Sequence, residues 1–145
     1  MYHQIFKIKN RISQTLKGKV VIVTGASKGI GAGIAREVAT AGVKVVVNYS
    51  SSREGADQVV NDITSQGGQA VAIQGDVSKN EDVKKLFKSA EEVYGTAHVV
   101  INNAGVYEFA PLELITEESY RRMFDINMLG ILLTSQEAVR VFRSH

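Results

Sequence analysis

A glycine-rich turn is the part of this sequence whose residue types and spacing indicate chemistry. Residues 24–31 read Thr-Gly-Ala-Ser-Lys-Gly-Ile-Gly, and they lie between the apolar run 20–23 and the helical pattern 34–39. The first N–H groups of a helix have no intrahelical acceptor, and the helix dipole adds partial positive charge at that end. A strand, a glycine turn and a helix start in this order predict a site that holds a diphosphate.

The spacing of the glycines indicates which class of nucleotide-binding turn this is. We expect Gly25 to allow a sharp exit from the strand, and Gly29 and Gly31 to let the backbone approach the phosphates where a Cβ atom would collide. A P-loop has Gly-Lys followed by Ser or Thr, whereas Gly31 is followed here by Ala32 and Gly33. The pattern Thr-Gly-x-x-x-Gly-x-Gly therefore excludes a P-loop, and it also departs from the G-x-G-x-x-G dinucleotide fingerprint.

Strands and helices that alternate from residue 19 onward must position this turn. Short apolar runs predict four strands, and a helical pattern follows each of them; the strands are 20–23, 43–47, 70–74 and 98–102. Right-handed crossovers then give a parallel sheet in the order 3-2-1-4. The predicted fold class is α/β, an incomplete, Rossmann-type doubly wound sheet with flanking helices.

Local signals predict where the helices begin and end. Gly42 is expected to cap the first helix in a left-handed conformation. Ser51 with Glu54, and Ser78 with Glu81, have the spacing of capping boxes ahead of the second and third helices. Thr116 is expected to cap a long last helix that extends to about residue 143.

Several short polar motifs fall at one edge of the predicted sheet. In an open parallel sheet the ligand lies beyond the carboxyl ends of the strands, at the point where the strand order reverses. The glycine turn, the loop 48–51, the pair Asp76-Val77 and residues 103–105 all reach that edge. Their convergence predicts one nucleotide cleft.

Composition excludes other classes of site. The chain has 145 residues, enough for one domain, and its three histidines lie far apart without ligand spacing, so we predict no metal site. The lack of cysteine excludes disulfides and thiol nucleophiles. Residues 20–145 carry 12 basic and 15 acidic side chains, which does not favour nucleic acid binding. No apolar run approaches the roughly 18 residues of a membrane span, so we expect a cytoplasmic protein without membrane contact.

The first 17 residues form a separate, basic segment in this prediction. Apolar residues at near-helical spacing in 2–17 are compatible with an amphipathic surface anchor or a presequence, but a disordered or docked tail ahead of the first strand is the favoured interpretation. We therefore divide the chain into a basic N-terminal tail, 1–17, and a truncated NAD(P)-binding Rossmann domain, 18–145.

The motifs together resemble the short-chain dehydrogenase/reductase family, in particular its ketoacyl-carrier-protein reductase-like and glucose-dehydrogenase-like members. Residues 24–31 resemble the family's cofactor turn, Asp76-Val77 its adenine-side pair, and 102–105 its fourth-strand motif Asn-Asn-Ala-Gly. Asn127 resembles the active-site asparagine. The resemblance implies hydride transfer between nicotinamide and a small carbonyl or secondary alcohol, and for Asn127 a catalytic part in a proton relay through water.

The charges near the second strand favour NADP(H) over NAD(H). A carboxylate that ends this strand normally binds the ribose 2′-hydroxyl and repels a 2′-phosphate, and we place Asn48 at that position. Lys28 and Arg53, with the hydroxyls of the serine loop, are available to a 2′-phosphate, although both cations are also compatible with solvated surface charge. The predicted cofactor-binding residues are Gly25, Ser27, Lys28, Gly29, Ile30, Gly31, Asn48, Tyr49, Ser50, Ser51, Asp76, Val77, Asn103, Ala104 and Gly105.

Three of these polar residues have structural interpretations as well. Asp76 is equally compatible with an aspartate that binds backbone N–H groups at a helix start, and Asn103 with a turn former. Asn127 lies in an apolar helical stripe, where a buried amide needs a partner, so it is also compatible with a packing or helix-bending role.

The rest of the family's catalytic set is not found in these 145 residues. The resemblance implies a Tyr-x-x-x-Lys pair and a serine beyond the fourth strand, and neither is present. We expect an N-terminal portion that is inactive alone, with its exposed fourth strand covered by a second copy or a complementing chain. The alternatives are a non-catalytic dinucleotide-binding or partner subunit, and an interaction module that uses the basic tail and the open sheet edge.

Overall fold

Four parallel strands form the centre of the fold in a computed structural model that describes residues 14–144. The strands are β1 Val20–Val23, β2 Lys44–Tyr49, β3 Gln69–Gln74 and β4 Val99–Ile101, and their order is β3-β2-β1-β4. Val21 of β1 is in register with Val45 of β2 and Val99 of β4. The predicted α/β fold class and strand order are confirmed.

Helices cover both faces of this sheet. They are α1 Gly29–Ala39, α2 Arg53–Ser65, α3 Asn80–Tyr94, α4 Glu117–Phe124 and α5 Gly130–Arg143; a 3-10 turn, Leu112–Leu114, precedes α4, and a π-helical segment, Asp125–Leu129, joins α4 to α5. Side chains alternate along each strand, so β1 and β2 supply valines to α1 and α2 on one face and to α3 and α5 on the other. Burial on both faces explains why β1 is wholly apolar.

The second strand ends two residues later than predicted. Asn48 and Tyr49, expected in a loop, pair with Ile73 and Gln74 of β3 and end β2. Because successive strand residues face opposite sides of the sheet, this extension buries both side chains, with exposures of 1% and 6%.

Of the three predicted N-terminal helix caps, one is confirmed. Thr116 accepts the Ser119 N–H at 3.1 Å and forms a capping box with that residue, as expected for the start of α4. The other two predicted boxes are wrong, because Ser52 and Lys79 occupy the N-cap positions of α2 and α3 and neither side chain makes a capping bond. The first helix ends at Ala39, and Gly42 follows it with φ +74° as the predicted left-handed residue.

Two features complete the fold. Within residues 14–144, no helix has the length and apolar character that crossing a membrane requires. The amphipathic helix considered for 2–17 lies mostly outside the described residues, although Leu16 packs against the core on the α1 side.

Candidate functional site

An open cleft of about 580 Å³ lies beyond the carboxyl ends of the strands, where the strand order reverses between β1 and β4. Most of the predicted cofactor residues line it: Gly25, Ser27, Lys28, Gly29, Ile30, Asn48, Ser50, Ser51, Asp76, Val77, Asn103, Ala104 and Gly105. Gly31 and Tyr49 do not. The lining also includes Ser52, Gly75, Val106, Tyr107, Arg122 and Ile126, which were not predicted.

The glycine turn opens the N-terminus of α1 onto this cleft. Gly25 leaves β1 with φ +62°, and a Cβ atom there would lie 2.7 Å from the Cα of Ala104. Gly29 has φ +57° and no described atom within 4 Å of its Cβ position, so its backbone faces open space. Since α1 begins at Gly29, the free N–H groups of its first turn lie where an anion can reach them.

Gly31 also permits a close approach within the protein, which was not predicted. A Cβ atom at this position would collide with the side-chain amide of Asn103 and would lie 2.6 Å from the carbonyl oxygen of Gly25. The close approach that Gly31 permits is therefore between parts of the protein, and it brings the helix start against the end of β4.

A buried threonine holds that same junction. The Thr24 hydroxyl accepts the N–H groups of Asn103 and Ala104, each at 3.0 Å, and Thr24 is 1% exposed. The side-chain amide of Asn103 donates to the carbonyls of Thr24 at 3.0 Å and Gly25 at 3.2 Å. Asn103 thus positions the glycine turn through its side chain.

The side chains that end β2 point into the protein. Asn48 accepts the Gly25 N–H and donates to two carbonyls at the end of β3, so its amide forms bonds within the protein. Tyr49 packs in the core next to α1 and α2. The structure therefore brings neither the Tyr49 ring nor a free Asn48 amide to the cleft, and the serines at 50–52 are the polar side chains of this strand end that line it.

Asp76 takes part in the start of the third helix. Its Oδ1 accepts the N–H of Ser78 at 3.0 Å and the hydroxyl at 2.7 Å, while its own N–H donates to Asp82 at 3.0 Å. These bonds favour the helix-start interpretation, although Asp76 also lines the cleft. They also replace the predicted Ser78 capping box.

The two predicted cations have different surroundings. Lys28 lines the cleft and makes no ion pair among the described residues. Arg53 pairs with Asp57 at 3.4 Å on the outer side of α2 and does not line the cleft. Arg122 of α4 supplies a second cleft cation; it lies one helical turn before Ile126, a spacing that places both on one face of the helical segment.

Asn127 lies within the π-helical segment and has its partner in the loop after β4. Its side chain accepts the Val106 N–H at 2.8 Å and donates to the Val106 carbonyl at 2.7 Å. Both ends of the amide are thus engaged, which satisfies the requirement for a partner and ties the helical segment to Val106.

Two further glycines allow helices to approach the site closely. A Cβ atom on Gly55 of α2 would lie 2.6 Å from the carbonyl oxygen of Ser27. A Cβ atom on Gly130, the first residue of α5, would lie 2.7 Å from Cγ2 of Val77. No periodic or motif signal in the sequence predicts these contacts, because they depend on the packing of separate elements.

Comparison with known proteins identifies the family. The family model described as short chain dehydrogenase matches residues 19–145. An uncharacterised oxidoreductase of Methylorubrum extorquens is 55% identical over 123 residues, which cover 85% of this chain and 50% of that protein. A short-chain dehydrogenase/reductase of Pestalotiopsis microspora is 46% identical over 125 residues, 86% of this chain and 47% of its own length.

A solved structure shares the fold. A short chain dehydrogenase from Burkholderia cenocepacia, in complex with NADP, superposes with a TM-score of 0.83 at 34% identity, over 87% of this chain and 51% of that one. The chain spans about half the length of the curated relatives it matches.

Proposed function

The chain belongs to the short-chain dehydrogenase/reductase family, and from this premise we propose that it is the NADP(H)-binding portion of an oxidoreductase. The enzyme would transfer a hydride between nicotinamide and a small carbonyl or secondary alcohol carbon. The observation that carries the proposal is the cleft formed by the glycine turn, the serine loop and the ends of β3 and β4. The bound cofactor would supply the hydride, and the residues of this chain would bind and orient it.

The diphosphate fits the start of α1. Gly29 leaves open space where a side chain would stand, and the first-turn N–H groups have no intrahelical acceptor. These donors and the helix dipole would neutralise an anion without a metal ion. Thr24 and Asn103 would keep the turn in place through their bonds across β1 and β4.

A 2′-phosphate would be bound in the same cleft by Lys28 and the serine loop. Lys28 and the serines at 50–52 line the cleft, and no carboxylate ends β2. A cation and several hydroxyls favour a phosphate over a hydroxyl at the 2′ position of the ribose. The solved relative from Burkholderia cenocepacia is a complex with NADP, which also supports this preference. Arg53, which we first considered for this role, is not included because it pairs with Asp57 outside the cleft.

Catalysis is proposed to need residues beyond these 145. Asn127 is the one member of the family's proton relay that the sequence contains, and its side chain is held by Val106. We therefore propose that this chain alone binds the cofactor without turnover. A non-catalytic dinucleotide-binding or partner subunit is the alternative, and turnover of NADPH by the isolated chain would contradict both this alternative and the proposed inactivity.

A partner is proposed to cover the apolar surface after β4. Tyr107, Phe109 and Leu112 are 87%, 98% and 84% exposed, and several apolar residues of α4 and α5 are about half exposed. Such surface is rare on monomers. We propose a homo-oligomer or a complementing chain at this surface, and no nucleic acid or membrane partner. A cytoplasmic location is proposed with it, and cell fractionation tests that assignment.

Fluorescence titration with NADPH and NADH tests the proposed function. We expect NADPH to bind more tightly to the 145-residue chain, and Lys28→Gln to weaken NADPH binding by about tenfold, the effect of one lost charge-assisted contact, with little effect on NADH. Arg53→Gln is the matched control and should leave both affinities unchanged. Binding of neither dinucleotide by the folded chain would contradict the proposal.

A further inference from the structure

The amide of Asn48 connects three backbone segments that surround the cleft. Its Oδ1 accepts the N–H of Gly25 at 3.2 Å, and its Nδ2 donates to the carbonyls of Ile73 at 3.3 Å and Gly75 at 3.0 Å. The Asn48 carbonyl also accepts the N–H of Ala26 at 2.8 Å. One residue thus joins the glycine turn, the end of β2 and the end of β3.

The donor and acceptor pattern around this side chain fits asparagine. One backbone donor and two backbone acceptors face it, and an amide of this size offers one acceptor and a pair of donor hydrogens. A carboxylate would place negative oxygens against two carbonyl oxygens, and a leucine would leave an N–H and two carbonyls without this partner. At 1% exposure, such mismatches are costly because water cannot replace the lost bonds.

The serine loop, 50–52, begins two residues after Asn48, where β2 ends. Ser50 follows the buried pair Asn48 and Tyr49, and the serines at 50–52 line the cleft together with Lys28. The position of these hydroxyls relative to the glycine turn therefore depends on how β2 ends. The bond from Asn48 to Gly25 is a direct side-chain connection between these two parts of the site.

We propose that Asn48 is a positioning residue that fixes the glycine turn relative to the serine loop and so sets the preference for a 2′-phosphorylated dinucleotide. Its side-chain amide acts through the backbone of both segments, since the bonds to Gly25, Ile73 and Gly75 engage it within the protein. This inference rests on the proposed function, because it concerns the selectivity of the same cleft.

The test compares Asn48→Leu, which has a similar volume and no polar atoms, with Val46→Ala. Val46 is a fully buried β2 residue on the α3 side of the sheet, so its truncation lowers stability without removing a bond to the glycine turn. NADPH and NADH dissociation constants and urea midpoints are measured for each 145-residue chain. We expect Asn48→Leu to weaken NADPH binding by about tenfold and NADH binding much less, and Val46→Ala to keep the wild-type ratio of the two affinities.

A milder variant keeps the test decisive if Asn48→Leu does not fold. Asn48→Thr suits a strand and retains a hydroxyl, which is too short to reach all three partners. It should reduce the NADPH to NADH preference by an intermediate amount. An unchanged preference in a folded Asn48 variant, or an equal loss in Val46→Ala, would overturn the inference. A wild-type chain that binds neither dinucleotide would instead contradict the proposed function.

Discussion

Two glycines of α1, Gly31 and Gly33, differ in what surrounds their Cα atoms. A Cβ atom on Gly31 would collide with Asn103 and with the Gly25 carbonyl, whereas the Cβ position of Gly33 is open. Gly33 lies in the helix interior, where glycine is less favourable than alanine. Alanine variants at the two positions therefore distinguish the low helix propensity of glycine from the close contacts that Gly31 makes at the site.

Alanine at these positions should have opposite effects. Gly31→Ala is expected to lower the free energy of unfolding by about 1–3 kcal/mol, because the end of β4 must move, and to weaken NADPH binding. Gly33→Ala is expected to raise stability by up to about 1 kcal/mol and to leave binding unchanged. Urea denaturation of both variants measures the change in stability, and NADPH titration measures the change in affinity. Equal stabilities of the two variants would contradict the packing role of Gly31.

Removal of the Asn127 amide should loosen the loop after β4. Asn127→Ala leaves the N–H and carbonyl of the half-buried Val106 without this partner, and we expect a loss of about 1–3 kcal/mol in the free energy of unfolding. The neighbouring variant Met128→Ala is the control, because Met128 is 61% exposed and should change stability by less than about 0.5 kcal/mol. Faster hydrogen exchange at Val106 only in Asn127→Ala would identify the lost bond as the cause.

At the scale of single residues, the sequence predicts backbone requirements better than side-chain partners. The positive φ values of Gly25 and Gly42 follow from a strand that turns sharply and a helix that ends. The partners of Asn48 and Asn127 lie about 20 residues or more away and become known only when the strands are placed in register. The sequence indicated that Asn127 needed a partner without specifying which one.

Helices α1 and α2 are joined across their outer surface by an ion pair. Arg36 lies 2.7 Å from Asp62, and Gln58 donates to the same carboxylate at 2.7 Å. The hydrogen bonds from Arg36 and from Gln58 lower the pKa of Asp62. Because the folded pKa is lower than the unfolded one, the stabilisation is complete above about pH 4 and is lost as the pH falls through the folded pKa.

Asp62→Asn should therefore reduce stability at neutral pH and have no effect in acid. Urea midpoints of the wild type and the variant, measured at pH 7 and near pH 2, give the comparison. The effect is expected to be small, since the pair is exposed to solvent. Asp57→Asn, which removes only the more exposed pair with Arg53, is the control and should have less effect at pH 7. A difference in urea midpoint between the wild type and Asp62→Asn that persists near pH 2 would contradict the assignment of this stabilisation to the ionised Asp62 carboxylate.

At the scale of elements, strand order follows from the alternation of apolar runs, whereas helix number, ends and caps do not. The single long helix predicted from Thr116 to about residue 143 is divided into α4, a π-helical segment and α5. The strand β2 extends through Asn48 because pairing with β3 continues past the apolar run. The capping box predicted at Ser78 was wrong because competing side chains are available: Asp76 and Asp82 bind the backbone ahead of α3 in place of Ser78 and Glu81. Thr116 had a serine three residues on, which completes its box.

At the scale of the whole molecule, the apolar residues after β4 form a solvent-exposed surface. Phe109 and Leu112 have nearly all of their side chains in solvent, and they lie between β4 and α4. If a second copy or a complementing chain covers this surface, polar replacements should weaken the association.

The double variant Phe109→Ser, Leu112→Ser tests this at the level of assembly. We expect sedimentation velocity to show a smaller species, or less aggregation, than the wild type at the same concentration. Val93→Ser on α3 is the matched control, since Val93 is an apolar residue 52% exposed on a different element and should leave the mass unchanged. A wild-type chain that is monomeric at all concentrations would contradict the proposal of a homo-oligomer.

Site-resolved amide hydrogen exchange, with and without NADP⁺, tests the dinucleotide site most directly. Bound diphosphate should slow exchange at Gly29, Ile30 and Gly31, whose N–H groups lie in the first turn of α1. A 2′-phosphate should also slow exchange in the serine loop, 50–52, and NAD⁺ should protect that loop less. Saturating NADP⁺ that leaves residues 29–31 unprotected would contradict the account.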